Sequence, residues 1–287
     1  LGADEAGRDM FGQLIIGAKN SILIAIAITI LANFVGIALG IIMGYYGGFI
    51  DNFFMRIIDF FITLPTTMII IVVVTIIPSY GIMDLILIIA AFQWMGTARL
   101  VRSKALSEAR RDYISASKTM GTSDFAIMFK GLLPNLSSLL IVEVTLSFAG
   151  NVGIETGLSF LGFGLPPSTP SLGTLVAYAM NPIILSSKWW IWLPASILIL
   201  VMMLGILLLG FVISYVVIQA KTRYVSLPQF QTTKKQRHFS GILKLLQLEH
   251  LKKQRKGQVL VTFSLFVISF GAYVALFPQL IAGPIVR

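Results

Sequence analysis

The chain has 287 residues, of which 56% are hydrophobic and only 12% are charged. A soluble domain carries about 25% charged residues, so this chain lacks the polar surface that a soluble fold needs, and it is too apolar to be disordered. It has no cysteine and only two histidines, which excludes disulfides and thiolate chemistry and leaves little for a histidine metal cage. We therefore predict an all-α membrane protein with no catalytic residue, metal site or cofactor.

Six apolar segments are long enough to cross a bilayer, because a hydrocarbon core of ~30 Å needs about 20 helical residues. In chain order they are residues 21–44, 57–78, 83–100, 132–152, 190–218 and 259–281. Lipid leaves the backbone of an open strand unpaired, so these segments are predicted to be helices. Pro65 predicts a kink within the second segment. The Gly- and Pro-rich stretch 155–188 also carries apolar residues, and we expect it to fold back onto the helices.

The basic residues are distributed unevenly between the two sides of these segments. The loops at 45–56, 99–131 and 219–258 hold 1, 7 and 10 Lys and Arg residues, which is 18 of the 22 in the chain. Cytoplasmic loops of membrane proteins carry such an excess of positive charge. We therefore expect a multi-pass protein of the cytoplasmic membrane, with both ends of the chain outside. The net charge of +10 reflects these loops and does not indicate a nucleic-acid partner.

The inner loop at 99–131 carries the most informative pattern. Residues 113–120 suit a short helix that Gly121 would end in a left-handed conformation, and a second helix is predicted over 124–133. Small side chains on the first helix would let another protein approach closely: Ser115, Ala116 and Ser117. From spacing alone, an ordinary amphipathic connector on the membrane surface is the slightly better interpretation.

Three carboxylates are candidates for a substrate path. Glu143 lies near the middle of the fourth segment, Glu155 just beyond its outer end, and Asp59 close to the inner mouth of the second. A carboxylate at the bilayer centre costs roughly 2.5–3.5 kcal/mol on insertion scales, so Glu143 should face the bundle or a wet cavity. An interhelical hydrogen bond that only fixes packing explains Glu143 equally well.

The inner loop also follows a known spacing of residues: Ser115-Ala116-Ser117, then Gly121, then Leu132-Leu133-Pro134-Asn135. This spacing resembles the cytoplasmic signature of binding-protein-dependent ABC importer permeases, with Ser115 and Ser117 departing from its Glu-Ala-Ala. Three further stretches are similar to one branch, the C-type permease subunit of dipeptide, oligopeptide and nickel importers: 1–9, 46–59 (Tyr46-Gly47-Gly48 with Asp51, Arg56 and Asp59) and 158–173. The resemblance covers residues 1–223.

The resemblance implies a type I permease fold of six helices with a cytoplasmic coupling helix. It implies four kinds of partner: a homologous second permease, two cytoplasmic ATPases, an extracellular binding protein and membrane lipid. The coupling residues would be Ser115, Ala116, Ser117 and Gly121. The chain has no Gly-x-x-x-x-Gly-Lys-Ser/Thr loop, so ATP hydrolysis belongs to the partners and the chain is not itself an enzyme. Peptide import is the leading interpretation; nickel or metal-chelate import and a non-transporting scaffold are the alternatives.

The resemblance also sets the expected domain organisation. Residues 1–223 form the permease domain with the coupling loop 99–131, and 224–258 form a basic cytoplasmic segment. Residues 259–287 form an additional transmembrane helix that resembles the family's first helix, although here it follows the permease domain. Topology permits either order, because both ends of the chain are expected outside.

Overall fold

The computed structural model describes residues 2–77, 80–166 and 168–225, so the segment predicted at 259–287 and nearly all of 224–258 lie outside the described residues. Every element in the described part is helical, apart from one bridge between Ala3 and Asp9. The elements are α1 (Met10–Tyr46), α2 (Gly48–Ile62), α3 (Thr66–Ile76), α4 (Ile82–Ala109), α5 (Asp112–Thr119), α6 (Asp124–Ala126), a π-helical turn (Ile127–Leu132), α7 (Leu133–Phe160), α8 (Leu172–Ala177), a 3-10 turn (Tyr178–Met180), α9 (Pro182–Ser187) and α10 (Trp189–Val225).

Four helical segments of the described residues are long and apolar enough to cross a membrane. They are Met10–Tyr46, Ile82–Ala109, Asp124–Phe160 and Trp189–Val217, and the bent pair α2–α3 makes a fifth if it is one span. Four of the six predicted segments are thus confirmed as single helices. The described residues up to 206 belong to one compact unit, which contains the candidate sites.

The helices extend well beyond the apolar segments. α1 has 37 residues and therefore rises ~55 Å, much more than the ~30 Å hydrocarbon core. α4 continues nine residues past the predicted boundary at residue 100, so the first part of the predicted inner loop is helical, which corrects that prediction. Hydropathy marks where a helix leaves lipid, whereas α4 continues into a charged stretch in which Lys104 pairs with Glu108 one turn later.

The second predicted span is broken. α2 and α3 meet at an angle of 80° across Thr63, Leu64 and Pro65, and Pro65 is the cap before α3. Proline lacks an N–H and clashes with the preceding turn, which explains why the helix cannot continue. The predicted kink is confirmed, in the stronger form of a complete break.

A row of glycines brings α1 and α4 into close contact. Gly36, Gly40 and Gly44 lie four residues apart and face α4. A Cβ atom on them would lie 2.8, 2.7 and 2.5 Å from the side chains of Thr97, Val101 and Ala105, respectively. Real carbon atoms do not approach so closely, so only glycine allows this helix–helix distance.

The outer segment folds back onto the bundle, as predicted. α8 packs against α1 and α7, and a Cβ on Gly173 would lie 2.5 Å from that of Ser159. Asn20 of α1 donates a hydrogen bond to the Pro170 carbonyl at 2.7 Å. Phe160 and Leu165 of this segment are buried by the packing, whereas Leu161 remains exposed.

Candidate functional site

The short helix α5 is held to the inner end of the bundle by one buried side chain. Ile114 lies in a buried cluster with Val101 and Ala105 of α4 and Leu132 and Leu136 of the α7 segment. The rest of α5 is largely exposed to solvent. α5 is therefore an outward-facing element whose position depends on α4 and α7.

Gly121 ends α5 in the conformation that the sequence predicts. Its φ of 80° is in the left-handed region. The Gly121 N–H donates a hydrogen bond to the Lys118 carbonyl at 3.0 Å, and the Thr122 N–H donates one to the Ser117 carbonyl at 3.1 Å. This pair of bonds is the Schellman motif. A Cβ at Gly121 would meet nothing within 4 Å, so a substitution there strains the backbone without a steric clash.

The surface beside this cap combines small and apolar side chains. Ser115 and Ala116 are exposed and Ser117 is half-buried. Met120 and Phe125 follow them with 77% and 68% of their surface exposed. Together these two side chains form an exposed apolar patch beside the cap.

Tyr45 links this surface to α1. Its hydroxyl donates to Asp124 Oδ1 at 2.6 Å, and the ammonium of Lys118 lies 5.9 Å from the centre of its ring. α1 therefore contacts both sides of the Gly121 turn. The sequence gives no local signal for this pair, because Tyr45 and Asp124 are 79 positions apart.

Asp59 lies in α2 and is paired with Arg99 of α4. About two turns earlier in α2, Asp51 accepts from the guanidinium of Arg102, with Arg102 Nε at 2.6 Å from Oδ1. Both pairs join α2 to α4. The carboxylate of Asp59 is therefore engaged with a cation of the same chain.

Glu143 faces a polar seam between the helices. Its Oε1 accepts from the Thr97 hydroxyl of α4 at 2.9 Å and from Ser147 at 3.3 Å, and its side chain is half-buried. About two turns beyond Glu143 in α7, Asn151 donates to Thr29 of α1 at 2.9 Å. The prediction that Glu143 faces protein or a cavity is confirmed.

The seam contains one unsatisfied polar atom. Asn33 of α1 is buried and donates to the Thr29 carbonyl at 2.9 Å, but its Oδ1 accepts no hydrogen bond. The sequence did contain a signal for this seam, because α7 repeats polar residues every four positions: Glu143, Ser147, Asn151 and Glu155. The described residues contain no group of three or more acidic or histidine side chains that could hold a metal ion.

Glu155 lies inside α7 rather than beyond its outer end, which corrects the predicted boundary at 152. It is wholly buried and accepts hydrogen bonds from Ser21 at 2.8 Å and Ser159 at 2.9 Å. Ser21 accepts in turn from the Leu172 N–H at 3.0 Å. Glu155 thus joins α1, α7 and the start of α8. α7 can continue past residue 152 because neighbouring side chains satisfy the hydrogen bonds of this carboxylate.

The stretch before α1 forms an ordered turn around Asp4. Burial would raise the pKa of this carboxyl, but hydrogen bonds from the Arg8 backbone, Gln13, the Arg8 guanidinium and the Ala6 N–H hold its pKa below the usual value. Arg8 also donates to the hydroxyl of Tyr178 at 2.9 Å. The turn is therefore fixed to the outer segment.

Comparison with known proteins places the chain beside membrane transport subunits. Residues 36–224 match the family described as "Binding-protein-dependent transport system inner membrane component". The oligopeptide transport system permease protein OppC of Lactococcus lactis subsp. cremoris (strain SK11) is 54% identical over 210 residues, 73% of this chain and 71% of the relative.

More distant relatives have similar descriptions. The oligopeptide transport system permease protein OppC of Mycobacterium tuberculosis (strain ATCC 25618 / H37Rv) is 36% identical over 203 residues, 70% of this chain and 69% of its own. The di/tripeptide transport system permease protein DppC of Pseudomonas aeruginosa (strain UCBPP-PA14) is 34% identical over 210 residues, 73% of this chain and 68% of its own.

Proposed function

Because the chain belongs to the family of binding-protein-dependent transport system inner membrane components, we propose that it is the permease subunit of an ABC importer for peptides. It is a multi-pass protein of the cell membrane. The observation that carries the peptide assignment is the 54% identity to an oligopeptide permease over 73% of the chain, with a di/tripeptide permease at 34%. These relatives do not favour a metal-chelate importer or a scaffold.

The working importer contains this chain, a homologous second permease, two cytoplasmic ATPases and an extracellular substrate-binding protein. The chain crosses the membrane six times, with α2–α3 as the second crossing and 259–281 as the sixth. The excess of basic residues in the loops at 45–56, 99–131 and 219–258 supports a cytoplasmic position for these loops. Single cysteines at Ser123 and Ser168 of this cysteine-free chain test it: only Ser168→Cys should react with an impermeant reagent on intact cells.

α5 is the coupling helix that receives the movement of the ATPase. Ser115, Ala116, Ser117 and Gly121 form the contact, supported by the exposure of the first two and by the apolar surface at Met120. Movement of α5 passes to α4 and α7 through Ile114. The movement also passes to α1 through Tyr45, whose hydroxyl donates a hydrogen bond to Asp124 and whose ring lies beside Lys118.

Glu143 is the strongest of the substrate-path candidates, because its half-buried carboxylate accepts from only two hydroxyls. A carboxylate there would attract the amino group of a peptide. Glu155 and Asp59 remain candidates, although Glu155 is wholly buried and Asp59 pairs with Arg99. Glu143→Gln should raise the peptide concentration needed for half-maximal uptake, whereas Thr97→Val removes one hydrogen bond and keeps the charge. Equal effects of the two variants would assign Glu143 to packing.

Uptake by the reconstituted importer tests the main proposal. The four membrane and ATPase subunits are placed in proteoliposomes with the binding protein, and ATP hydrolysis and uptake are measured with oligopeptides and with a nickel chelate. We expect peptides to stimulate both. Stimulation by the nickel chelate alone would contradict the peptide assignment, and failure of the chain to co-purify with an ATPase would contradict the importer.

A pair of matched glycine variants tests the coupling site. Gly121 and Gly162 have the same left-handed Schellman conformation, with φ of 80° and 86° and open space around each, but Gly162 ends α7 at the outer side. Valine costs about 1–2 kcal/mol of backbone strain at either position. Gly121→Val should weaken ATPase co-purification and abolish uptake, whereas Gly162→Val should retain the ATPase. Equal retention in both variants would contradict the coupling role of Gly121.

A further inference from the structure

α2 presents a stripe of aromatic residues with one cation among them. Phe49, Phe53 and Phe60 expose 84%, 52% and 62% of their surface, and Arg56 between them is also exposed. At about 100° per residue these four positions fall within ~60° of one another around the helix. Nothing in the proposed function uses this face.

The opposite face of α2 is bound to the protein. Ile58 is fully buried against Met43 of α1 and Met95 and Ala98 of α4. The two carboxylates of α2 are consumed in pairs with Arg102 and Arg99. Arg56 has no carboxylate partner in the part of the chain that the structure describes, so the exposed stripe carries a net positive charge.

The ion pairs also fix the depth of α2. α4 has no charged residue at the 14 positions between Asp84 and Arg99, and the rise from one to the other is about 22 Å through the hydrocarbon core. Arg99 and Arg102 therefore mark the place where α4 leaves the lipid on the side with most of the basic loops. Because α2 is tied to both arginines, its stripe lies at the level of the inner-leaflet headgroups.

We propose that this face of α2 is a binding site for an anionic phospholipid of the inner leaflet. The phenylalanine rings lie among the acyl chains and the glycerol backbone, and the Arg56 guanidinium extends to the headgroup phosphate. Arginine binds phosphate oxygens through paired N–H groups, and its apolar stem can stay in lipid while the charge reaches the interface. Aromatic residues with basic residues are typical of helices that lie at a membrane interface.

Charge favours lipid over a second protein as the occupant. Asp51 is buried on the far side of α2, and Asp59, beside the stripe, is paired with Arg99, so the surface offers one unpaired cation to a leaflet that contains anionic headgroups. A basic residue near such a surface strengthens lipid binding about fivefold. A protein partner at this face would instead have to supply a buried anion to Arg56.

Lipid binding to the full-length chain tests the site directly. Native mass spectrometry in detergent measures retention of added phosphatidylglycerol and phosphatidylcholine by the wild type, by Arg56→Gln and by the control Arg110→Gln, an exposed arginine at the end of α4. We expect Arg56→Gln to weaken phosphatidylglycerol binding about fivefold, with phosphatidylcholine unchanged and the control equal to wild type. Equal loss in both variants, or no loss in either, would overturn the proposal.

A spin label shows what covers the face in the membrane. Nitroxides are attached to Phe53→Cys and, as an aqueous reference, Ser115→Cys in phosphatidylcholine vesicles with one quarter phosphatidylglycerol, with and without the second permease. Oxygen should collide with the nitroxide at position 53 more often than a water-soluble nickel complex does. At position 115 the nickel complex should collide more often than oxygen. A nickel preference at position 53, or loss of oxygen access on adding the second permease, would refute a lipid site. Because Phe53 is exposed, the label should not disturb folding.

Discussion

Gly40→Ala should separate two helices that are now in backbone contact. The added methyl carbon would lie 2.7 Å from Val101 Cβ and 2.8 Å from the Ala98 carbonyl oxygen. Carbon atoms in contact prefer about 3.5–4.0 Å, and neither neighbour is the mobile end of a side chain. α1 and α4 must therefore move apart by about 1 Å at this point.

The expected cost follows from this displacement. Overpacking a well-packed interior costs about 1–3 kcal/mol, while replacing glycine by alanine in a helix returns at most ~1 kcal/mol. The net loss of stability is about 1–2 kcal/mol. Gly96→Ala is the matched control, because Gly96 lies in α4, is exposed, and a Cβ there meets nothing within 4 Å. It should be neutral or stabilising.

Thermal unfolding in detergent, followed by tryptophan fluorescence, separates the two variants. A loss of 1 kcal/mol lowers Tm by about 2–4 °C for a domain of 150–250 residues. Gly40→Ala should therefore melt several degrees below wild type and Gly40→Val lower still. A Gly40→Ala melting temperature at or above that of Gly96→Ala would refute the close contact of α1 with α4.

Three further predictions concern local stability. Because the pKa of Asp4 is lowered in the folded chain, its ionised carboxylate stabilises the fold above the ordinary pKa of about 4, and this stabilisation is lost as the pH falls through the folded pKa. Hydrogen exchange in the turn around Asp4 should therefore rise in acid, and Asp4→Asn should remove that pH dependence. Ile114→Ala should cost about 2–5 kcal/mol and raise exchange in α5, unlike Met120→Ala, whose side chain is exposed. Ser21→Ala leaves the Leu172 N–H without its acceptor and should lower stability by about 1–3 kcal/mol relative to the exposed Ser103→Ala, and equal melting temperatures would contradict the role of Ser21.

The sequence by itself determined the membrane class, four of the helices, a kink at Pro65 and the left-handed end of α5. These features depend on local quantities: the transfer of an apolar segment into lipid, the missing N–H of proline and the freedom of glycine. The fold-back of 155–188 was also predictable, because apolar residues in an outer segment need a surface to cover them.

The tertiary structure decided where the helices end and what the polar residues do. α4 extends past residue 100 into a charged stretch that contains an ion pair, and α7 includes Glu155 because Ser21 and Ser159 satisfy the carboxylate. The partner of Gly40 lies 61 residues away at Val101, and that of Tyr45 lies 79 residues away at Asp124. No local propensity encodes such pairs, since each exists only after the helices have packed and placed two distant positions side by side.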